Sequence, residues 1–119
     1  MSEDRTNPAY YRTGLSDRIE CIDICRHLPF ALGNACKYVW RAGGKEDAAL
    51  DLDKAVWYLT DYSRHPVRVP MDAPAAMAKL LEGKDAVGRL KIECLCKITA
   101  GYPRSAIKVI ERLKKEMCK

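Results

Sequence analysis

Two helical patterns joined by a Gly-Gly break, reading GNACKYVWRAGGKEDAALDLDKAVWYL from Gly33 to Leu59, constrain this chain more than any other stretch. Residues three and four apart share a helix face, so Asn34, Lys37 and Arg41 form one polar row and Asp51, Lys54 and Tyr58 another. Opposite each row runs an apolar stripe: Leu32, Ala35, Cys36 and Val39 on the first helix, and Ala48, Leu52, Ala55, Val56 and Leu59 on the second. Two amphipathic helices with a two-glycine hinge fold back on each other, and their polar rows then border a small charged cleft edged by Trp40, Trp57, Tyr38 and Tyr58.

The rest of the chain repeats this grammar. Ser16 or Asp17 supplies an N-cap for a first helix reaching about Leu28, and Pro29 opens a second helix, about 30 to 42. The third, about 46 to 64, begins with Glu46 and Asp47 at the positive end of its dipole and stops before Pro66. Three shorter helices are expected at about 73 to 82, 86 to 100 and 104 to 117, with Asp72 and Asp85 as caps and Gly101 as a stop. No segment sustains strand alternation, so the fold class is all-α, a small bundle of five to six helices. Short helices bury their stripes poorly alone, so a homo-oligomer is expected to complete it.

The chain divides by composition. Residues 1–15 lack periodicity and read as an extended arm; 16–65 form a three-helix domain; three prolines between 66 and 74 make a stiff connector to a helical region at 66–119. Lys and Arg are nearly balanced by acids up to residue 65 but outnumber them twelve to six beyond it, so the second half is the basic one. Such a field favours anionic partners, from free nucleotides to nucleic acid. On the last helix Arg104, Lys108, Arg112, Lys115 and Lys119 line up as a basic stripe, where a polyanion or only solvent would lie. The polar start MSEDRTNP lacks the pattern of a signal peptide, and no apolar run is long enough to cross a bilayer, so a cytosolic protein without membrane contact is expected.

Several chemistries lose ground. The Gly-Lys pairs at 44–45 and 83–84 lack the upstream glycine and the following hydroxyl of a P-loop. Six cysteines include no C-x-x-C pair and read as reduced core thiols; a zinc set of Cys21, Cys25 and His27 is the lesser alternative. Glu20 and Asp23 have the spacing of carboxylates in an all-α metal-dependent nucleotide pyrophosphatase, but Lys54 stands where Asp51 would need a second acidic partner. His27 and His65 have no nucleophile at a useful spacing. No catalytic residue, cofactor or metal is therefore assigned.

The stretches IECID, GN-x-x-KY-x-WRAG-x-K and DL-x-KA-x-WYL, within about Asn7 to Tyr62, resemble a short phage-borne domain of unknown function often labelled phage nucleotide kinase. The resemblance implies a nucleotide site and, in the labelled member, phosphorylation of deoxynucleoside monophosphates without a P-loop. Where that family reads Pro-x-His-Tyr, this arm reads Pro8-Ala9-Tyr10-Tyr11, so an imidazole is replaced while the cationic clamp persists. Binding and sequestration of a nucleotide or nucleotide-derived immune signal without turnover is the expectation, with a nucleoside monophosphate kinase as the alternative and a pyrophosphatase or a nucleic-acid or host-protein adaptor behind it. The ligand-binding set is Asn34, Lys37, Trp40, Arg41, Lys45, Asp51, Lys54, Trp57 and Tyr58, joined by Tyr10 and Tyr11 of the arm. Lys37 and Arg41 would hold phosphate, Lys45 would add charge at the start of the third helix, and an indole would stack on the base.

Overall fold

The computed structural model of the chain describes residues 15–44 and 47–118, which form six helices and no strand. These are α1 (Cys21–Cys25), α2 (Phe30–Arg41), α3 (Ala48–Arg64), α4 (Ala73–Ala78), α5 (Ala86–Thr99) and α6 (Pro103–Met117). The all-α expectation stands, and five of the six helices begin within two residues of the expected start. None of the described helices is long and apolar enough to cross a membrane.

The first helix is the exception. The Ser16 hydroxyl accepts from the backbone N–H groups of Arg18 and Ile19, which closes a bend instead of starting a helix. The helix waits for a reciprocal capping box: the Glu20 N–H donates to Asp23 Oδ2 at 2.8 Å, and the Glu20 side chain accepts from the Asp23 backbone. α1 is therefore five residues long, not eleven or twelve. α3 and α5 start where side chains predict, since Asp47 accepts from Ala49 N and Asp85 from Gly88 N.

One core runs through the described residues and draws on both sides of the 66–72 connector. Leu32, Val39 and Trp40 of α2, Leu52 and Leu59 of α3, Leu95 and Ile98 of α5, and Ile110 and Leu113 of α6 are all fully buried in it. The α2–α3 hairpin lies against the α5–α6 hairpin, mainly through α3 on α6 and α2 on α5. Lys91 of α5 ties the halves together: its ammonium donates to the carbonyls of Trp40 (3.0 Å) and Ala42 (2.8 Å), which satisfies acceptors at the C-terminus of α2. Burial pushes Lys91 down to about 8, against the raising pull of Asp85 and Asp51. Gly43, at φ +84°, then reverses the chain between α2 and α3.

Candidate functional site

The polar row on α2 does not keep to one environment. Asn34 and Lys37 are half-buried and line a groove of about 620 Å³ formed with α1, whose other walls include Glu20, Cys21, Cys25 and Phe30. The Asn34 amide donates to the Phe30 carbonyl at 2.9 Å. One turn beyond Lys37, Arg41 goes inward and is 9% exposed. Its Nε (3.2 Å) and Nη2 (3.1 Å) both donate to Oδ1 of Asp51, which is completely buried on α3. The two rows do meet, through a buried ion pair.

Tyr38 joins the cations. Lys37 Nζ lies 4.5 Å, Arg41 Cζ 4.9 Å and Lys54 Nζ 5.3 Å from the centre of its ring, so charges from two helices gather on one phenol. Tyr58 of α3 stacks on Tyr38 with 13° between the planes and 6.0 Å between centres. Phe30 and Trp57 each meet Tyr58 edge-on, at 6.0 and 5.1 Å. The chain Phe30–Tyr58–Tyr38 thus runs from the groove to the cations, with Trp57 beside it.

The expected site residues fall into four groups. Lys37, Lys54, Tyr58 and Trp57 come together around Tyr38, with Asn34 in the adjoining groove. Arg41 and Asp51 neutralise each other in the interior behind them. Trp40 is 1% exposed, its ring in the core and its Nε1–H without a partner among the described residues, so the indole with an accessible face is Trp57. Tyr10, Tyr11 and Lys45 lie outside the described residues, as does Lys119 of the basic stripe. Arg104, Lys108, Arg112 and Lys115 are exposed on α6, and Arg112 pairs with Glu93 of α5 at 2.9 Å.

Two participants escaped the sequence reading. Tyr38 was placed only at the edge of the cleft, although it lies one residue after Lys37 and three before Arg41, where both side chains reach its ring. Phe30 is 77% exposed directly after Pro29, and an aromatic at the first turn of a helix with no core role is the signal that could have found it. The carboxylates considered for metal have other work: Glu20 and Asp23 cap α1, and Asp51 holds Arg41. Among the described residues no group of His, Cys, Asp and Glu is arranged to hold a metal ion.

Compared with known families, residues 6–60, under half of the chain, match the model of DUF3310, described as a protein of unknown function. No curated protein and no solved structure matches the chain.

Proposed function

We propose that this protein binds a nucleotide or a nucleotide-derived signalling molecule and holds it unchanged, with phosphate at Lys37 and Lys54 and the base against the exposed aromatic rings. Lys37 is the residue on which this rests. It lines a groove whose volume falls in the range of small-molecule sites, and its ammonium also belongs to the cluster around Tyr38. Ammonium groups are compact anion partners, and exposed rings such as Phe30 and Trp57 stack on bases of any identity. Arg41, spent on Asp51, supports the cluster from behind through the face of Tyr38. The resemblance to phage-borne nucleotide-kinase-like domains points to the same ligand class. Retention without turnover is favoured because the carboxylates closest to the groove are engaged in capping.

The test is to incubate the protein with a panel of nucleotides and cyclic or linked nucleotide signals, remove free ligand, heat-denature, and identify what is released by mass spectrometry. One intact ligand is expected, and Lys37→Ala should weaken its binding about tenfold, the scale of one charge-assisted hydrogen bond. Conversion of a nucleoside monophosphate to a diphosphate in the presence of ATP would replace sequestration by kinase activity, and pyrophosphate release with magnesium would replace it by hydrolysis. A salt-sensitive gel shift with no small molecule retained would move the function to the exposed cations of α6. We carry a homo-oligomer with this proposal, since Leu50, Val67 and Leu80, none of them assigned to the ligand, expose large apolar side chains that a second copy would cover. Sedimentation equilibrium checks it.

A further inference from the structure

The α5–α6 hairpin presents a cationic outer face that shares no residue with the groove between α1 and α2. α6 turns Ala106, Val109, Ile110 and Leu113 into the core. At about 100° per residue, Arg104, Lys108 and Lys115 fall within about 40° of one another on the opposite side. All three are exposed, and none makes an ion pair with a described residue. Arg112, next round the helix from Lys108, reaches across to Glu93 of α5 at 2.9 Å, so the outer rows of the two helices are neighbours. Glu93 is flanked one turn to either side by Arg89 and Lys97, both exposed. Like charges one turn apart repel each other, and an anion laid along them reverses that cost. At the N-terminal end of the α6 row the cations give way to an aromatic. Tyr102 is 60% exposed and, with Tyr62, Ser63, Pro66, Arg104 and Ser105, lines a hollow of about 340 Å³, at the lower end of the size range of small-molecule sites.

We propose that this face binds single-stranded nucleic acid, with phosphates along Arg104, Lys108 and Lys115 and one base in the hollow against Tyr102. The row runs about 17 Å from Arg104 to Lys115, in steps of about 6 Å per helical turn that successive phosphates of an extended strand can follow. Tyr102 offers a π face that accepts any base, and Arg104 beside it offers a donor fork to the adjoining phosphate. Arg89 and Lys97 of α5 widen the positive field that draws the strand in. Two other anionic partners fit this face less well. A membrane surface would need the apolar side of α6, which is already packed in the core. A duplex keeps its bases paired and stacked, which leaves Tyr102 and its hollow without an occupant. Cations and one stacking ring read no base edge, so the site tolerates sequence. It stands beside the nucleotide groove and does not depend on it.

Fluorescence anisotropy tests this with a labelled single strand of mixed sequence, as DNA and as RNA, about 12 nucleotides long to suit the usual site size of single-strand binders. The full-length protein is titrated into it at several salt concentrations. The logarithm of the binding constant should fall with the logarithm of salt at a slope of about −2 to −3, since three or four phosphates contribute about −0.7 each. Lys108→Glu combined with Lys115→Glu should weaken binding at least about tenfold and flatten the slope by about 1.4, with an unchanged circular dichroism spectrum. Tyr102→Ala should weaken binding about five- to hundredfold and leave the slope as it is, a split that separates stacking from charge. No anisotropy change at low salt, or full affinity in the double variant, would overturn the proposal. Full affinity in Tyr102→Ala, or tighter binding of a duplex of the same length, would overturn the single-strand assignment. Polyglutamate that displaces the labelled strand as well as unlabelled strand does would overturn it too, leaving a face that takes any polyanion.

Discussion

Replacing Arg41 by Met should destabilise the protein far more than its place in a polar row suggests. Asp51 is wholly buried, and both guanidinium hydrogen bonds converge on its Oδ1, so the substitution leaves a carboxylate in the interior without its counter-ion. Removing one partner of a buried pair costs about 3–5 kcal/mol, because the remaining charge loses its compensation and does not regain water. Asp51→Leu should also destabilise, by taking from Arg41, which is 9% exposed, the carboxylate that receives both of those hydrogen bonds. Combining the two changes removes both charges, and an apolar pair of comparable volume is often neutral. The double variant should therefore fall within about 1 kcal/mol of wild type, a coupling of several kcal/mol where independent sites would add. Urea denaturation followed by circular dichroism measures each corner of the cycle. Additive effects, or a single Arg41→Met penalty below about 1 kcal/mol, would show that water reaches Asp51 and that the pair is a surface contact.

Lys91→Met gives a stability difference that varies with pH in a defined direction. The folded pKa of about 8 lies below the unfolded value, so the folded state pays for the ammonium below pH 8. That penalty is relieved as pH rises through 8 and is gone by the unfolded pKa near 10.5, so wild type should gain up to about 3 kcal/mol relative to the variant across this window. Taking the difference between the two proteins cancels the opposing ionisation of buried thiols such as Cys36 and Cys94, which burial pushes up; a flat difference would mean that Lys91 is hydrated. Trp57→Ala should change stability by less than about 0.5 kcal/mol, since the side chain is 64% exposed, but should weaken nucleotide binding by about 1–3 kcal/mol if a base stacks there. Calorimetry on the folded variant separates the two effects, and unchanged affinity removes Trp57 from the site. Gly101→Ala should cost about 1 kcal/mol in a thermal melt from its φ of +84° alone, since an added Cβ meets nothing closer than 3.7 Å.

Helices α2 to α6 were legible because each combines a periodic stripe with punctuation at its ends: Pro29 and Gly43 around α2, Asp47 and Pro66 around α3, Asp85 and Gly101 around α5. α1 was overdrawn because Ser16 looks the same in sequence whether its hydroxyl caps a helix or a bend. The hold of Lys91 on the end of α2 spans some fifty residues of sequence and leaves no local signature. Trp40 and Trp57 were separable by spacing: Trp40 lies four residues after Cys36 and eight after Leu32, on the buried row of α2, whereas Trp57 lies four after the exposed Asp53 of α3 and faces solvent.

Lys37 and Arg41 show why a polar row cannot be assigned to a site by spacing alone. They are one helical turn apart, and both reach Tyr38, but the turn carrying Arg41 runs beneath the start of α3, where Asp51 lies. The guanidinium is neutralised there, while the turn carrying Lys37 opens onto the groove with α1. Neutralisation at the rear has a consequence at the front. An anion at Lys37 and Lys54 would not compete with Asp51 for those ammonium groups, because the carboxylate is already oriented toward Arg41 and sealed from solvent. The phenol of Tyr38 then serves as a shared negative face for cations from both helices, so losing its ring should loosen the cluster as a unit. Tyr38→Leu, which keeps apolar bulk but removes the π face, should therefore weaken anion binding more than either single lysine change, with the helical content preserved. Equal effects from Tyr38→Leu and Lys37→Ala would mean that the lysines act alone.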